Sequence, residues 1–423
     1  MKTRNRLYLI VVALFLLPFI CATASADTAQ GTETQITTNE FGQRFPAIHG
    51  DKIVWSDEVP AIDEIYTSDI YVYDLSTSTE TQITDNDKIQ EFPAIYGDKI
   101  VWQDWRNGNL DIYMYDLSTS EETQITTDES AQEDPAIYED RIVWTDSRNG
   151  NYDIYMYKIS TSTETRITTS ESNQGNPDIY GNRVVWTDSR NGNQDIYMYD
   201  LSTSTETRIT TNESNQLNPA IYGDKIVWQD YRDGGTDLYM YDLSTSTETW
   251  LISMSMPEPA GPYAFSDNRI VWQEFRNGNF DIYMYDISTS RETQITAHES
   301  YQLWPDIYGD VIVWMDDRNE NQDIYMFTLA PAPELTPLDR TNNLKDYVEN
   351  TLKVNRGTKK ELIVPLDASI HFLETGKNAK AVFKLKSFIN LVEKMNKYNR
   401  ISAVDADYMI IEARGIIDQI KAQ

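Results

Sequence analysis

Residues Pro93 to Thr126 read PAIYGDKIVWQDWRNGNLDIYMYDLSTSEETQIT, and close copies of this phrase recur seven times between Glu33 and Phe327. The tryptophans of the copies fall at Trp55, Trp102, Trp144, Trp186, Trp228, Trp272 and Trp314, spaced 47, 42, 42, 42, 44 and 42 residues apart. A fixed period of this length marks a repeat architecture, in which each unit buries its faces against its neighbours. Within one unit, the segments around Ala94–Tyr96, Lys99–Gln103, Asp111–Asp116 and Glu122–Thr126 are short and rich in Ile, Val, Tyr, Trp and Thr. Gly97-Asp98, Arg106-Asn107-Gly108-Asn109 and Ser118-Thr119-Ser120 divide them. Asn-Gly between alternating segments favours a hairpin, because glycine tolerates the positive φ of a tight turn. Four antiparallel strands per unit, with no helical spacing before the Pro-rich stretch that follows the array, predict propeller blades and exclude a helical solenoid.

The pattern inside the strands agrees. Ile100 and Trp102 share one side of their strand and Val101 takes the other, while Ile112 and Met114 oppose Tyr113 and Tyr115. Both sides are apolar or aromatic, as sheets sandwiched between neighbours require; a sheet with one wet face would carry polar residues at every second position. The ends of the array supply the closure. Glu33-Thr34-Gln35-Ile36-Thr37 is a fourth-strand sequence without its three predecessors, and Asp323-Ile324-Tyr325-Met326-Phe327 is a third strand without its successor. One blade is thus split between the two ends, which removes exposed strand edges. The expected fold over residues 31–329 is an all-β seven-bladed propeller closed by an N-terminal strand.

Beyond the array, Ala330 to Pro337 reads APAPELTP, a semi-rigid extended spacer, and a Pro-rich linker is expected over 330–341. The periodicity then becomes helical. Leu344, Val348 and Leu352 mark a first stripe; Leu362, Leu366, Ile370 and Leu373 a second, ending at Gly376. Val382, Leu385, Phe388, Ile389 and Val392 form the third, and Ile410, Ile411, Ile416, Ile417 and Ile420 the fourth, behind a capping Ser402. These stripes predict a small all-α four-helix bundle over 342–423.

Lys2, Arg4 and Arg6 precede the apolar run Leu7–Ile20, and Ala24-Ser25-Ala26 offers a small-residue cleavage site, so residues 1–26 read as a signal peptide. A retained N-terminal anchor is the alternative; no later stretch is apolar enough to span a bilayer. Cys21 is the only cysteine, so the cleaved chain has neither disulfide nor cysteine nucleophile. Residues 341–423 hold 14 Lys+Arg against 10 Asp+Glu, and the first 26 residues carry three basic groups; residues 27–340 therefore bear −38 of the total −31. A surface this acidic repels nucleic-acid phosphates, and nucleic-acid binding is set aside.

The phrase I-V-W-x-D-x-R-N-G-x-x-D-I-Y resembles the TolB-type (WD40-like) propeller repeat over residues 31–330, in the form found in secreted and cell-surface proteins of prokaryotes. TolB itself has six blades behind an α/β domain; with seven repeats and no such domain here, a role in a Tol envelope complex is not implied. Leu385-Lys386-Ser387-Phe388-Ile389-Asn390-Leu391-Val392, after Leu373-Glu374-Thr375-Gly376-Lys377-Asn378-Ala379, resembles the FIMAH domain of multimodular secreted proteins. That resemblance implies an accessory module without catalytic residues of its own.

In a propeller, the loops joining strand 4 to strand 1 and strand 2 to strand 3 emerge on one face; here they are the Q-x-x-P loops and the D-x-R-N-G-N turns. Gln43, Gln90, Gln132, Gln174, Gln216 and Gln302, and pairs such as Asp104/Arg106, recur in nearly every blade, which suits a role in holding the blade. The variable positions point to a ligand instead. Before the strand-1 proline stand Phe45, Phe92, Asp134, Asn176, Asn218, Gly261 and Trp304, and inside the turns stand Trp105, Ser147, Ser189, Tyr231, Phe275 and Asp317. Aromatic groups beside hydrogen-bonding ones suit sugar faces or peptide side chains. The candidate ligand-binding set is Phe45, Phe92, Trp105, Arg106, Tyr231, Arg232, Phe275, Arg276 and Trp304.

Only His49, His298 and His371 are present; His298, in a loop of that face, is the single candidate base. No zinc spacing, nucleophile elbow or phosphate loop occurs. The D-x-R-N-G-N-x-x-D phrase has a calcium-loop look, but arginine at its third position opposes a cation. No catalytic residue, metal or cofactor is assigned. The sequence therefore reads as a non-catalytic, extracytoplasmic scaffold, secreted or at the cell surface, for a protein, peptide or saccharide. The alternatives are a propeller enzyme such as a metal-assisted polysaccharide lyase, and a structural envelope-layer protein; the sequon Asn212-Glu213-Ser214 fits either extracellular role.

Overall fold

In the computed structural model, residues 27–59, 67–254, 263–276, 278–331 and 335–422 are described; the expected signal segment and Gly261 lie outside them. The chain divides into two units at Ala330/Pro331. The first contains seven sheets, each built on strands that follow one another in the chain and pair antiparallel, so the array is a seven-bladed propeller. The innermost strands are Gln43–His49, Gln90–Tyr96, Gln132–Tyr138, Gln174–Tyr180, Gln216–Tyr222, Ala264–Ser266 and Gln302–Tyr308. They pack on one another in ring order around a central channel.

The apolar alternation has the expected consequence. All seven repeat tryptophans are fully buried. Trp144 joins Ile137 and Ile142 of its own blade to Val101, Ile112 and Met114 of the preceding one, and equivalent clusters fill the other inter-blade layers. Each blade thus buries both faces against its neighbours, the main source of stability in such a ring.

The N-terminal segment closes the ring with two strands where sequence reasoning foresaw one. β2 (Gly31–Gln35) runs antiparallel to Asp323–Leu329 as the fourth strand of blade 7. Glu33 completes it by an ion pair with Arg318 (2.6 Å). β1 (Asp27–Thr28) runs parallel to Thr293–Gln294 and gives blade 6 a fifth strand. Nothing in the repeat announces β1, because it adds to a sheet that already has four strands.

The second unit holds α1 (Pro337–Asp346), α2 (Arg356–Glu374), α3 (Asn378–Lys397) and α4 (Ala403–Ala422): three long helices and a short one. Leu344, Leu366, Leu385, Phe388, Val392 and Ile416 share its core. α1 starts inside the stretch expected to be linker, because Thr336 and Asp339 form a capping box ahead of Pro337. Val348 and Leu352 fall in and just after a single π-helical turn rather than in a regular helix. The stop after α2 uses Gly376 at φ +66°, where a side chain would be strained. Ser402 caps α4 by accepting the Asp405 N–H (3.0 Å).

The latch is testable at one position. A Cβ at Gly31 would collide with the Thr328 carbonyl oxygen and the Phe327 ring. Gly31→Ala, or deletion of residues 27–37, should lower the melting temperature by at least about 5 °C. It should also promote association through the bared edge of Asp323–Leu329. Scanning calorimetry with light scattering checks both; unchanged melting would contradict the latch.

Candidate functional site

The D-x-R-N-G-N turns are built inward from a buried carboxylate. Asp104 is 0% exposed, accepts the Trp102 indole N–H (3.0 Å), and is forked by Arg106 Nε and Nη2 (2.9 and 2.6 Å). Arg106 Nη1 reaches Glu122 on the fourth strand (2.6 Å), and the guanidinium lies 4.1 Å above the Tyr113 ring. Asn107 then ties the turn to Asp111 and Tyr113 (2.8 and 2.9 Å). The same fastening recurs at Arg148, Arg190, Arg232, Arg276 and Arg318. Blade 1, whose second strand continues as Glu58-Val59, has no arginine there, and the difference shows in the acids. Burial raises the Asp57 pKa above the ordinary carboxylate value. At Asp316 burial pushes the same way, but hydrogen bonds from Arg318 and Trp314 outweigh it and hold the pKa below that value.

In six blades the residue before the strand-1 proline occupies a β-bulge in the innermost strand. All six described examples take the left-handed conformation: Phe45, Phe92, Asp134, Asn176, Asn218 and Trp304, with φ between 51° and 55°. Asp and Asn tolerate this region; for aromatic residues it is strained. The three aromatic members converge. Phe45 stacks on Phe92 with ring centroids 4.1 Å apart, and Trp304 stands edge-on to both, at 4.8 and 5.6 Å. Trp304 and Phe92 belong to blades 7 and 2, which are not adjacent, so their contact places the cluster at the channel mouth. All three rings are half-buried.

Two residues further along each innermost strand lies a layer of alanines, broken by Asp178 and Asp306. Each carboxylate accepts its own following N–H and one from the next blade: Asp178 from Ile221 (2.8 Å) and Asp306 from Ile48 (2.7 Å). Burial lifts both pKa values to about 6 despite those bonds, and Asp178 adds repulsion at Asp306. The far end of the channel carries an aromatic belt of His49, Tyr96, Tyr138, Tyr180, Tyr222 and Tyr308, with successive centroids 4.4–4.8 Å apart.

The candidate residues thus separate into three sets. Phe45, Phe92 and Trp304 meet at the axis. Trp105, 41% exposed, and half-buried Tyr231 stand on the turns, whereas Phe275, 42% exposed, lies near the end of the second strand of blade 6, which runs on to Arg276. Phe275 continues into Phe280 and Tyr301 (5.2 and 5.6 Å between successive centroids). Arg106, Arg232 and Arg276 are not gathered with them: each folds away onto the third and fourth strands of its own blade. Asp178 and Asp306 were missed, although PDIY in place of PAIY signals them in the sequence. His298 sits on the mouth face, its Nδ1 2.7 Å from Ser300 Oγ, which in turn donates to Asp316 (3.1 Å). The described residues gather no group of three or more His, Cys, Asp or Glu side chains fit to hold a metal.

Comparison with solved structures places the fold. The chain is similar to an oligogalacturonate lyase from Vibrio parahaemolyticus (15% identity, TM-score 0.57, covering 73% of this chain and 96% of that one). A second oligogalacturonate lyase, solved with manganese, is similar to the same extent (16%, 0.56, with the same coverage). The propeller domain of the trilobed protease from Pyrococcus furiosus (14%, 0.55, 69% and 94%) has an open velcro topology, whereas β2 closes the ring here. TolB from Acinetobacter baumannii aligns at 21% identity and TM-score 0.47, over 61% of this chain and 67% of that one. At these identities the likeness shows the propeller fold. No protein-family model matches the chain, and no curated protein is similar in sequence.

Two outcomes follow from the geometry. Arg148→Met leaves Asp146 buried without its cation and should cost about 3 kcal/mol in urea denaturation; a loss under about 0.5 kcal/mol would remove the fastening role. Asp306 binds its proton more tightly folded than unfolded, so its contribution to stability is full below its unfolded pKa near 4 and is lost as pH rises to about 6. The stability of Asp306→Asn relative to the parent should therefore improve by up to about 3 kcal/mol between pH 4 and pH 7. A pH-independent difference would show that the Asp306 carboxyl is not desolvated enough to raise its pKa.

Proposed function

We propose that the propeller is a non-catalytic binding scaffold that takes a protein, peptide or saccharide on the face bearing the channel mouth. The observation that carries this reading is the cluster Phe45–Phe92–Trp304. Three aromatic rings occupy a left-handed bulge that other blades fill with Asp or Asn at lower conformational cost. Strain kept at one part of a ring, where cheaper residues are used elsewhere, is what a functional site requires and blade stability does not. Trp105 on blade 2 and Phe275, Phe280 and Tyr301 on blade 6 and its following loop extend the aromatic character to both sides of the cluster. The opposite sector offers Asp134, Asn176 and Asn218. Apolar faces beside polar groups are the composition of a recognition surface.

In the same reading the scaffold acts outside the cytoplasm, secreted or held at the cell surface, as the charged, apolar and small-residue order of the first 26 residues supports. The FIMAH-like helical unit is its accessory module, for attachment or docking. Lyase chemistry is the second reading, favoured by the oligogalacturonate lyases, which this chain covers almost end to end. Cleavage of acidic polysaccharides with added manganese would support it over the scaffold.

The bulge gives a clean variant. Trp304→Asn installs the residue that blades 4 and 5 already carry there, so the fold should persist. Binding to hits from glycan and peptide arrays should fall at least about tenfold, a loss of about 1.4 kcal/mol or more. Equal binding by Trp304→Asn and the parent would remove this face from consideration.

A further inference from the structure

Resting on the binding reading above, we infer that the channel mouth is a pocket for one cationic side chain, the guanidinium or ammonium of an Arg or Lys presented by a peptide segment of a partner protein. The aromatic cluster ends at Phe92, and the next bulge position around the ring is Asp134, one blade on. Its backbone N–H is taken by Gln103 of the preceding blade (3.3 Å), which fixes the bulge but leaves the carboxylate without a donor. Among the described residues no hydrogen bond or ion pair reaches that carboxylate, and burial alone governs its titration, upward. An aromatic ring and a half-buried carboxylate at equivalent bulges of adjacent blades make a pairing that a cation satisfies twice, by its attraction to the ring quadrupole and by an ion pair.

The surroundings carry the same sign. Glu133 adjoins Asp134 and is itself pushed up by burial and by that neighbour. Asp178 and Asp306 lie deeper in the channel and, among the described residues, accept only backbone N–H groups. Arg44, beside Phe45 in the chain, is held by Glu58 (2.5 Å) and Gln322. His49, at the far end, has its pKa lowered by burial and by Lys52, so it brings no positive charge to the channel near neutral pH. The stretch that contains the propeller, residues 27–340, carries a net −38, and the segments on either side of it are net positive. Fields from low-dielectric walls of one sign are focused into such a cleft and raise the local concentration of cations. A neutral saccharide would use the rings but leave Asp134 unpaired, and an acidic one would be repelled.

The test uses the full chain and N-acetyl-arginine amide, with N-acetyl-citrulline amide as its uncharged counterpart, followed by tryptophan fluorescence and saturation-transfer NMR. Saturable binding of the arginine compound below about 10 mM is expected, with at least a fivefold preference over citrulline. Asp134→Asn, again a residue native to this position in blades 4 and 5, should abolish that preference at unchanged melting temperature. Equal binding of the two compounds, no saturable binding, or a preference that survives Asp134→Asn would each overturn the pocket. If Trp304→Asn abolishes binding of an uncharged glycan or peptide from the arrays while Asp134→Asn does not, the binding face stands and the cation pocket falls.

Discussion

The structure depends on a carboxylate that water does not reach. At the end of the second strand in six blades, an Asp or Glu with no exposed surface is held between a tryptophan indole and an arginine guanidinium, with the arginine lying flat on the tyrosine of the third strand. A buried anion is costly unless paired and hydrogen-bonded. Its demand fixes the tryptophan that fills the inter-blade layer, the arginine that bends the turn back, and the fourth-strand acid that receives the arginine's other edge. One electrostatic requirement thus orders three of the four strands and the loop between them.

That coupling explains why the architecture was legible in the sequence and the recognition surface only partly so. Trp, Asp, Arg, Asn-Gly and Asp-Ile-Tyr recur together because they serve one local device, and the split repeat at Glu33–Thr37 and Asp323–Phe327 announces the closure. Arg106, Arg232 and Arg276 looked available for a ligand because a sequence shows charge without direction; Tyr113, Tyr239 and Tyr283 and the fourth-strand acids claim them. Phe45, Phe92 and Trp304 were visible as departures from the repeat, but their meeting was not, because it joins blades 7, 1 and 2 through a bulge that spacing does not encode. β1 was invisible because two residues pairing in parallel carry no pattern. Asp178 and Asp306 differ from the repeat by one letter, and only the ring shows that this letter faces the channel.

Sevenfold repetition and function pull in opposite directions along the axis. Among the described residues, six innermost strands bring the same three levels to the channel: a bulge, an alanine or aspartate, and a belt residue. Blades 7, 1 and 2 break the uppermost level with rings, and blades 4 and 7 break the middle one with acids. The aromatic belt at the far end remains nearly uniform. The inner levels also take part in the inter-blade layers: Ala94 and Tyr96 pack against the cluster around Trp144, and Ile95 against the one around Trp102.

The closing strand also sets an order of events. Glu33 and Arg318, which meet in the finished ring, are 285 residues apart in the chain. The segment synthesised early must wait unpaired until the last sheet exists, and contacts this distant form slowly. Blades can condense one after another as they emerge, each templated by the one before, but the wheel stays an open arc with a sticky rim until the waiting strand docks. For such a molecule the hazardous interval lies in assembly, and the length of that interval is set by topology.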